Sequence, residues 1–183
     1  MNAEYHGIYA ALVTPYTSEG KVDYKELQKL VNYLIEKGLD GFYVNGSTAE
    51  AFLLSEEERN NIIKAVVEAN AGRKKVICHV GAISTDQAIG YAKNAEKCGA
   101  DAVSAISPFY YKFSEQEIIQ YYQDIMSATG LPMFIYNFPN FSGFSLTEEI
   151  LEKLKQNKNL IGENLPVLIC FFWSRLRPFI RSW

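Results

Sequence analysis

The residues with chemical potential in this chain cluster directly after short apolar runs. Asn45-Gly46-Ser47-Thr48-Ala49-Glu50 follows the run Phe42–Val44. A glycine followed by two hydroxyl residues in a tight turn can aim backbone N–H groups and two O–H donors at one carboxylate or phosphate. The same residues also suit an ordinary turn whose hydroxyls satisfy local backbone, and local sequence leaves both readings open. Tyr136 ends the run Met133–Tyr136. A buried tyrosine with a satisfied hydroxyl and a proton relay are its two readings. His79 ends a further run, and nothing pairs it with a nucleophile, so it reads as a packed strand-end histidine rather than a base. Tyr110-Tyr111 suits either loop packing or an aromatic edge facing a partner subunit. Cys78, inside an apolar run, reads as a small core residue.

These positions require elements that hold them. β-rich runs occur at Ile8–Val13, Phe42–Val44, Val76–Val80, Ala102–Ile106 and Met133–Tyr136. Between them lie longer stretches with helical apolar spacing. One face is Leu27, Leu30, Val31, Leu34 and Ile35, with a C-cap expected at Gly38. Leu53, Ile62, Ile63, Val66 and Val67 outline the next. Asp23…Glu26, Ser55…Glu58, Ser84…Gln87 and Ser114…Glu117 have capping-box spacing and mark helix starts. The repeat of strand, loop and capped helix, with a period of roughly 25 to 35 residues, is that of βαβ units. An open doubly wound sheet and a closed (β/α)8 barrel both fit. No G-x-G-x-x-G follows any strand, which leans toward the barrel. In either fold, chemistry sits at the C-terminal ends of the strands, where the residues above fall.

Composition excludes several classes. Net charge is −3 over 183 residues, and no basic stripe suggests a nucleic-acid partner. The start of the chain has no signal-peptide pattern, and the apolar stretch Val167–Trp173 is far too short to span a bilayer. Cys78, Cys98 and Cys170 are scattered without metal-ligand spacing. No metal, no membrane association and a reducing cytoplasm are therefore the expectations.

Taken in order, the loop motifs resemble the N-acetylneuraminate lyase and dihydrodipicolinate synthase family. The resemblance rests on Ala11-Leu12-Val13-Thr14-Pro15, Asn45-Gly46-Ser47-Thr48-Ala49-Glu50, Leu54-Ser55-Glu56-Glu57-Glu58-Arg59, Pro108-Phe109-Tyr110-Tyr111 and Tyr136-Asn137-Phe138-Pro139. It runs from about Ile8 to Gly162. It implies a TIM (β/α)8 barrel and class I aldolase chemistry. In that chemistry a lysine on the sixth strand forms a Schiff base with the keto carbon of pyruvate or another 2-keto acid. By the resemblance, Ser47 and Thr48 bind the substrate carboxylate and Tyr136 relays protons. Tyr110 corresponds to an aromatic near a subunit interface. No metal or organic cofactor is implied, and the assembly is a homotetramer. Gly-Ser-Thr is the usual lyase form of the turn, where synthases more often carry Gly-Thr-Thr. Synthases usually place an arginine after the Tyr-Asn-x-Pro motif, where this chain has Asn140-Phe141-Ser142-Gly143. A sugar acid such as sialic acid therefore fits better than a charged amino-aldehyde. Ala49 stands where the family usually has glycine, and a positive φ there would strain an alanine.

After Ile161-Gly162 the family places Val or Ile and then the Schiff-base lysine; this chain has Glu163-Asn164. Residues 1–162 hold 13 lysines and 2 arginines, whereas 163–183 hold no lysine and 3 arginines, together with both tryptophans. A reading-frame shift accounts for both changes. Val-Lys-Phe-Thr written GTA AAA TTT ACC becomes GAA AAT TTA CC on loss of one T, which begins Glu-Asn-Leu-Pro. The expectation is an incomplete barrel over 1–162, with about five βα units and the start of strand six. An aberrant, out-of-frame tail over 163–183 follows, with Asn164 in the lysine position and no activity. A complete barrel of this type needs roughly 250 residues. Unpaired strand edges favour association.

Overall fold

The computed structural model describes residues 3–164, with side chains for 4–162; the expected tail beyond Asn164 lies outside the described residues. Six strands form one sheet in the order of the chain: β1 (Tyr9–Ala11), β2 (Gly41–Val44), β3 (Lys75–His79), β4 (Ala102–Ile106), β5 (Met133–Tyr136) and β6 (Leu160–Asn164). Every neighbouring pair is parallel. A doubly wound sheet reverses its strand order at a switch point. Here each strand simply adds to the one before it, the winding of a TIM barrel. Among the described residues β1 and β6 pair on one side only, so the fold is part of a (β/α)8 barrel.

Six helices alternate with the strands: α1 (Tyr24–Glu36), α2 (Glu56–Asn70), α3 (Thr85–Cys98), α4 (Glu115–Ala128), the single turn α5 (Pro139–Ser142) and α6 (Glu148–Leu154). Leu27, Leu30, Val31 and Leu34 bury one face of α1, and Gly38 follows its end at φ 84°. Ser55 with Glu58 and Ser114 with Glu117 form two-way capping boxes. Asp23 and Ser84 cap in one direction, accepting from Glu26 and Gln87 N–H groups respectively. At α1 the return bond is absent because the Glu26 carboxylate pairs with Lys29 instead. Leu53 does not belong to the α2 face: it lies in a 3-10 turn, Ala51–Leu53, and is 82% exposed.

The larger core lies between sheet and helices, with Phe42, Val44, Val76, Cys78, Val103 and Ile135 meeting Leu30, Ile63, Val66, Ala92, Ile125 and Met126. A smaller cluster fills the inner face: Tyr43, Ile77 and Ala102, with Tyr5, Tyr9 and Phe134 against them. At the N-terminal strand ends, Lys75 pairs with Glu4 at 2.7 Å and Asp101 at 3.1 Å, and the Tyr5 hydroxyl donates to the Asp101 carbonyl. Gly41 makes this closure possible, since a Cβ there would lie 2.2 Å from the Tyr9 ring and 2.7 Å from the Lys75 carbonyl. Gly41→Ala is expected to destabilise the chain by roughly 1–3 kcal/mol through overpacking. A urea midpoint unchanged by the substitution, at low protein concentration, would contradict this packing.

Candidate functional site

At the C-terminal ends of the strands the chain builds one tight turn. β2 exits through Asn45, whose φ of 58° suits an asparagine better than most side chains. Its side-chain amide donates to the Arg59 carbonyl at 2.9 Å. Gly46 is extended (φ −79°, ψ −170°), so its need for glycine is steric: a Cβ would lie 2.7 Å from the Tyr43 ring. Ser47–Ala49 then makes one 3-10 turn, with Ala49 N–H to Gly46 O at 3.1 Å and Glu50 N–H to Ser47 O at 3.0 Å. The Thr14 hydroxyl, beyond the end of β1, donates to the Ala49 carbonyl at 2.7 Å and ties the turn to the neighbouring strand end.

This geometry corrects the expectation for Ala49. The left-handed positions are Asn45 and Glu50, at 58° and 55°, and Ala49 is not one of them. Its methyl is buried in a helical turn. Alanine costs nothing there, because the reversal is taken up by the residue after it.

Ser47, exposed on the turn, lies close enough to the buried Tyr136 at the end of β5 to act on its phenol. Burial raises the Tyr136 phenol above its ordinary range, and the Ser47 hydroxyl works against that rise. The phenol is therefore protonated at neutral pH, which equips it to donate a proton and take it back. Around it lie Tyr43 at 6.2 Å, His79 at 6.0 Å and Phe138 at 5.7 Å between ring centroids. The Tyr43 hydroxyl donates to Ser104 Oγ at 3.1 Å. Thr48 is half-buried on the same turn as Ser47.

His79 serves as packing. Burial first, and the Arg59 charge second, push its pKa down to about 3. Its Nε2 accepts from the Ile106 N–H at 3.2 Å, so that lone pair is occupied. Tyr110 lies at the rim, 84% exposed at φ 77°, edge-on to Tyr111 at 5.0 Å. The backbone of Asn164 is the register partner of Tyr136 across β5 and β6. Cys78 is buried in the core, as the sequence suggests.

Three roles escaped the sequence reading, although Thr14 and Arg59 both stand in the motifs quoted above: Thr14 as a brace, Tyr43 as the floor beside Tyr136, and Arg59 as a buried cation. The Arg59 side chain is buried, with Nη2 donating to the His79 carbonyl at 3.2 Å and its guanidinium 3.8 Å from the centre of the Tyr91 ring. The alternation of β2, which sends Tyr43 inward beside Gly41's neighbours, was the available signal for Tyr43. Arg59 gave none, because an arginine on a helix reads as solvent-facing.

The comparisons with known proteins agree with this geometry. Residues 4–163 match the profile of the dihydrodipicolinate synthetase family. N-acetylneuraminate lyase of Shigella boydii is 43% identical over 155 residues, covering 84% of this chain and 52% of that protein. The chain thus spans about half the length of the curated relatives it matches. Among solved structures, N-acetylneuraminate lyase of Mycoplasma synoviae superposes with a TM-score of 0.81 at 38% identity, covering 90% of this chain and 56% of that one. A catalytic-lysine mutant of the Ruminococcus gnavus sialic acid aldolase gives 0.88 at 31% identity, covering 98% and 58%. With the profile, the winding of the sheet and the strand-end turn in agreement, the chain belongs to the dihydrodipicolinate synthetase family.

Proposed function

We propose that this chain carries the substrate cradle of an N-acetylneuraminate lyase-type aldolase and lacks its nucleophile. The parent reaction is the reversible cleavage of a sialic acid to pyruvate and an N-acetyl amino sugar through a lysine Schiff base. The observation that carries the first half is the approach of Ser47 to the Tyr136 phenol at the mouth of the strands. It puts a carboxylate-binding hydroxyl and a proton donor side by side, with Thr48 next on the turn. The second half rests on Asn164, which follows Gly162 and Glu163 where the family lysine belongs. An amide has no nucleophilic amine, and no lysine follows it. The relatives include sialic acid lyases, and Asn140-Phe141-Ser142-Gly143 offers no cation for a dicarboxylic partner.

Saturation-transfer NMR with pyruvate tests the cradle, and it tolerates self-association of the chain. Transfer to the pyruvate methyl is expected, and N-acetylneuraminate is expected to compete. Ser47→Ala is expected to weaken pyruvate roughly tenfold or more, the loss of a hydrogen bond to a charged group. Equal binding by the variant would remove Ser47 from the site. Competition by an amino-dicarboxylate but not by the sugar acid would favour a synthase-like reading.

A second reading concerns the gene. The lysine count drops to zero and three arginines and both tryptophans appear after residue 162. We infer a reading-frame shift, which makes the chain a non-catalytic product of a disrupted lyase gene, 1–162 in frame and 163–183 out of it. A nucleotide sequence without a Val-Lys-Phe-Thr reading in either alternative frame would sink that inference.

A further inference from the structure

Arg59 is the single buried side chain of permanent charge among the described residues. None of the ion pairs among those residues includes it. Nη2 donates to the His79 carbonyl at 3.2 Å and to the Gly81 carbonyl at 3.5 Å, while Nε has no partner. The guanidinium lies 3.8 Å from the centre of the Tyr91 ring and 5.9 Å from that of Phe52. Carbonyls and rings solvate a cation but do not neutralise it, and a guanidinium keeps its proton even when buried. A buried charge left without a counter-ion is costly.

The position says where that charge can act. Arg59 sits at the C-terminal ends of β2 and β3, the end that carries the Gly46–Thr48 turn. Its own carbonyl holds Asn45, the residue that opens that turn. Its charge reaches the neighbouring layer, since it weakens protonation of His79, whose ring lies 6.0 Å from that of Tyr136. Glu56 is the one acid that acts on Arg59, more weakly than Tyr91 or Tyr121.

We propose that Arg59 supplies the positive potential of the carboxylate site, favouring an anionic 2-oxo acid over its uncharged counterpart from behind the Ser47–Thr48 turn without touching the ligand. The inference rests on the carboxylate reading of that turn. Arg59 thus acts at a distance as an electrostatic support, and its burial keeps its charge from being screened by bulk solvent. At a separation of several ångströms beyond contact, a partly buried unit charge shifts anion affinity by roughly tenfold.

The test uses the whole 183-residue chain and two probes of one shape, pyruvate and pyruvamide, titrated by saturation-transfer NMR. The wild-type chain is expected to prefer pyruvate. Arg59→Gln is expected to lose about tenfold on pyruvate with little change on pyruvamide, and Arg59→Lys to keep the preference. Equal loss on both probes would mark Arg59 as merely structural, and a preference that survives in Arg59→Gln would overturn the inference directly. Should Arg59→Gln fail to fold, salt decides on the wild type. A buried charge keeps the preference nearly constant into high sodium chloride, whereas a collapse would assign it to surface lysines. If the wild type binds neither probe, the carboxylate cradle itself is refuted; if it binds both equally, only the role of Arg59 is.

Discussion

Borohydride added to this chain in saturating pyruvate is expected to leave its mass unchanged. Trapping requires an amine that condenses with the keto carbon, and the reading proposed above puts that amine one residue after the Val or Ile of strand six. In this chain the position is Asn164, whose backbone pairs in register with Tyr136. The nearest lysines in sequence, Lys153, Lys155 and Lys158, precede β6. Lys153 and Lys155 are held in ion pairs with Glu149 and Glu152. The partner Tyr136 still has its protonated phenol, with Ser47 beside it. On the proposed reading it has no bound imine to serve. The effect is all-or-none, because an amide nitrogen does not form a Schiff base at all. A stoichiometric adduct, mapped by peptide mass to any lysine, would contradict the missing-nucleophile reading.

The second large effect is on stability in acid. His79 falls to about 3 in the folded chain from an ordinary 6.5, through burial and the Arg59 charge. The folded value is the lower one, so the unfolded chain takes up the proton first. Stability from this group is complete above about 6.5 and is lost as pH falls toward 3. Each unit in that window costs up to about 1.4 kcal/mol. Between pH 6.5 and 5 the ordinary carboxylates remain ionised, and a His79 variant separates this histidine from His6, the other one in the chain. His79→Gln keeps an acceptor for the Ile106 N–H without titrating. Its urea midpoint is expected to be nearly flat over that interval while that of the parent falls. Parallel slopes in the two proteins would show that His79 is not the group responsible.

How much of this was legible from residues varies by element. β4 and β5 run over Ala102–Ile106 and Met133–Tyr136 as read, because β5 is an apolar run, β4 is one broken only by Ser104, and each is stopped by a polar or proline-bearing loop. β1 is shorter than Ile8–Val13, since the Ile8 N–H turns to the Asp40 carboxylate at 2.7 Å rather than to a strand. Leu53 has the right spacing for the α2 face by coincidence: two 3-10 turns intervene before Ser55 starts the helix. The turn itself was legible as glycine plus hydroxyls, but its left-handed positions were not. Asparagine before glycine hints at one, and Glu50 carries no such hint. Arg59 was illegible because only the packing of α2 over the end of β3 shows which carbonyls receive it. The approach of Ser47 to Tyr136 joins the turn after β2 to the end of β5, and it follows from the winding of the sheet rather than from either motif alone.

The most direct test of the account is one proton NMR experiment on pyruvate with the chain in deuterium oxide. Saturation transfer to the methyl group reports the cradle, and loss of methyl intensity by deuterium exchange reports an enamine formed through a Schiff base. The account predicts transfer without exchange. Exchange above the protein-free rate would contradict the absence of a nucleophile, and no transfer at all would contradict the retained carboxylate site.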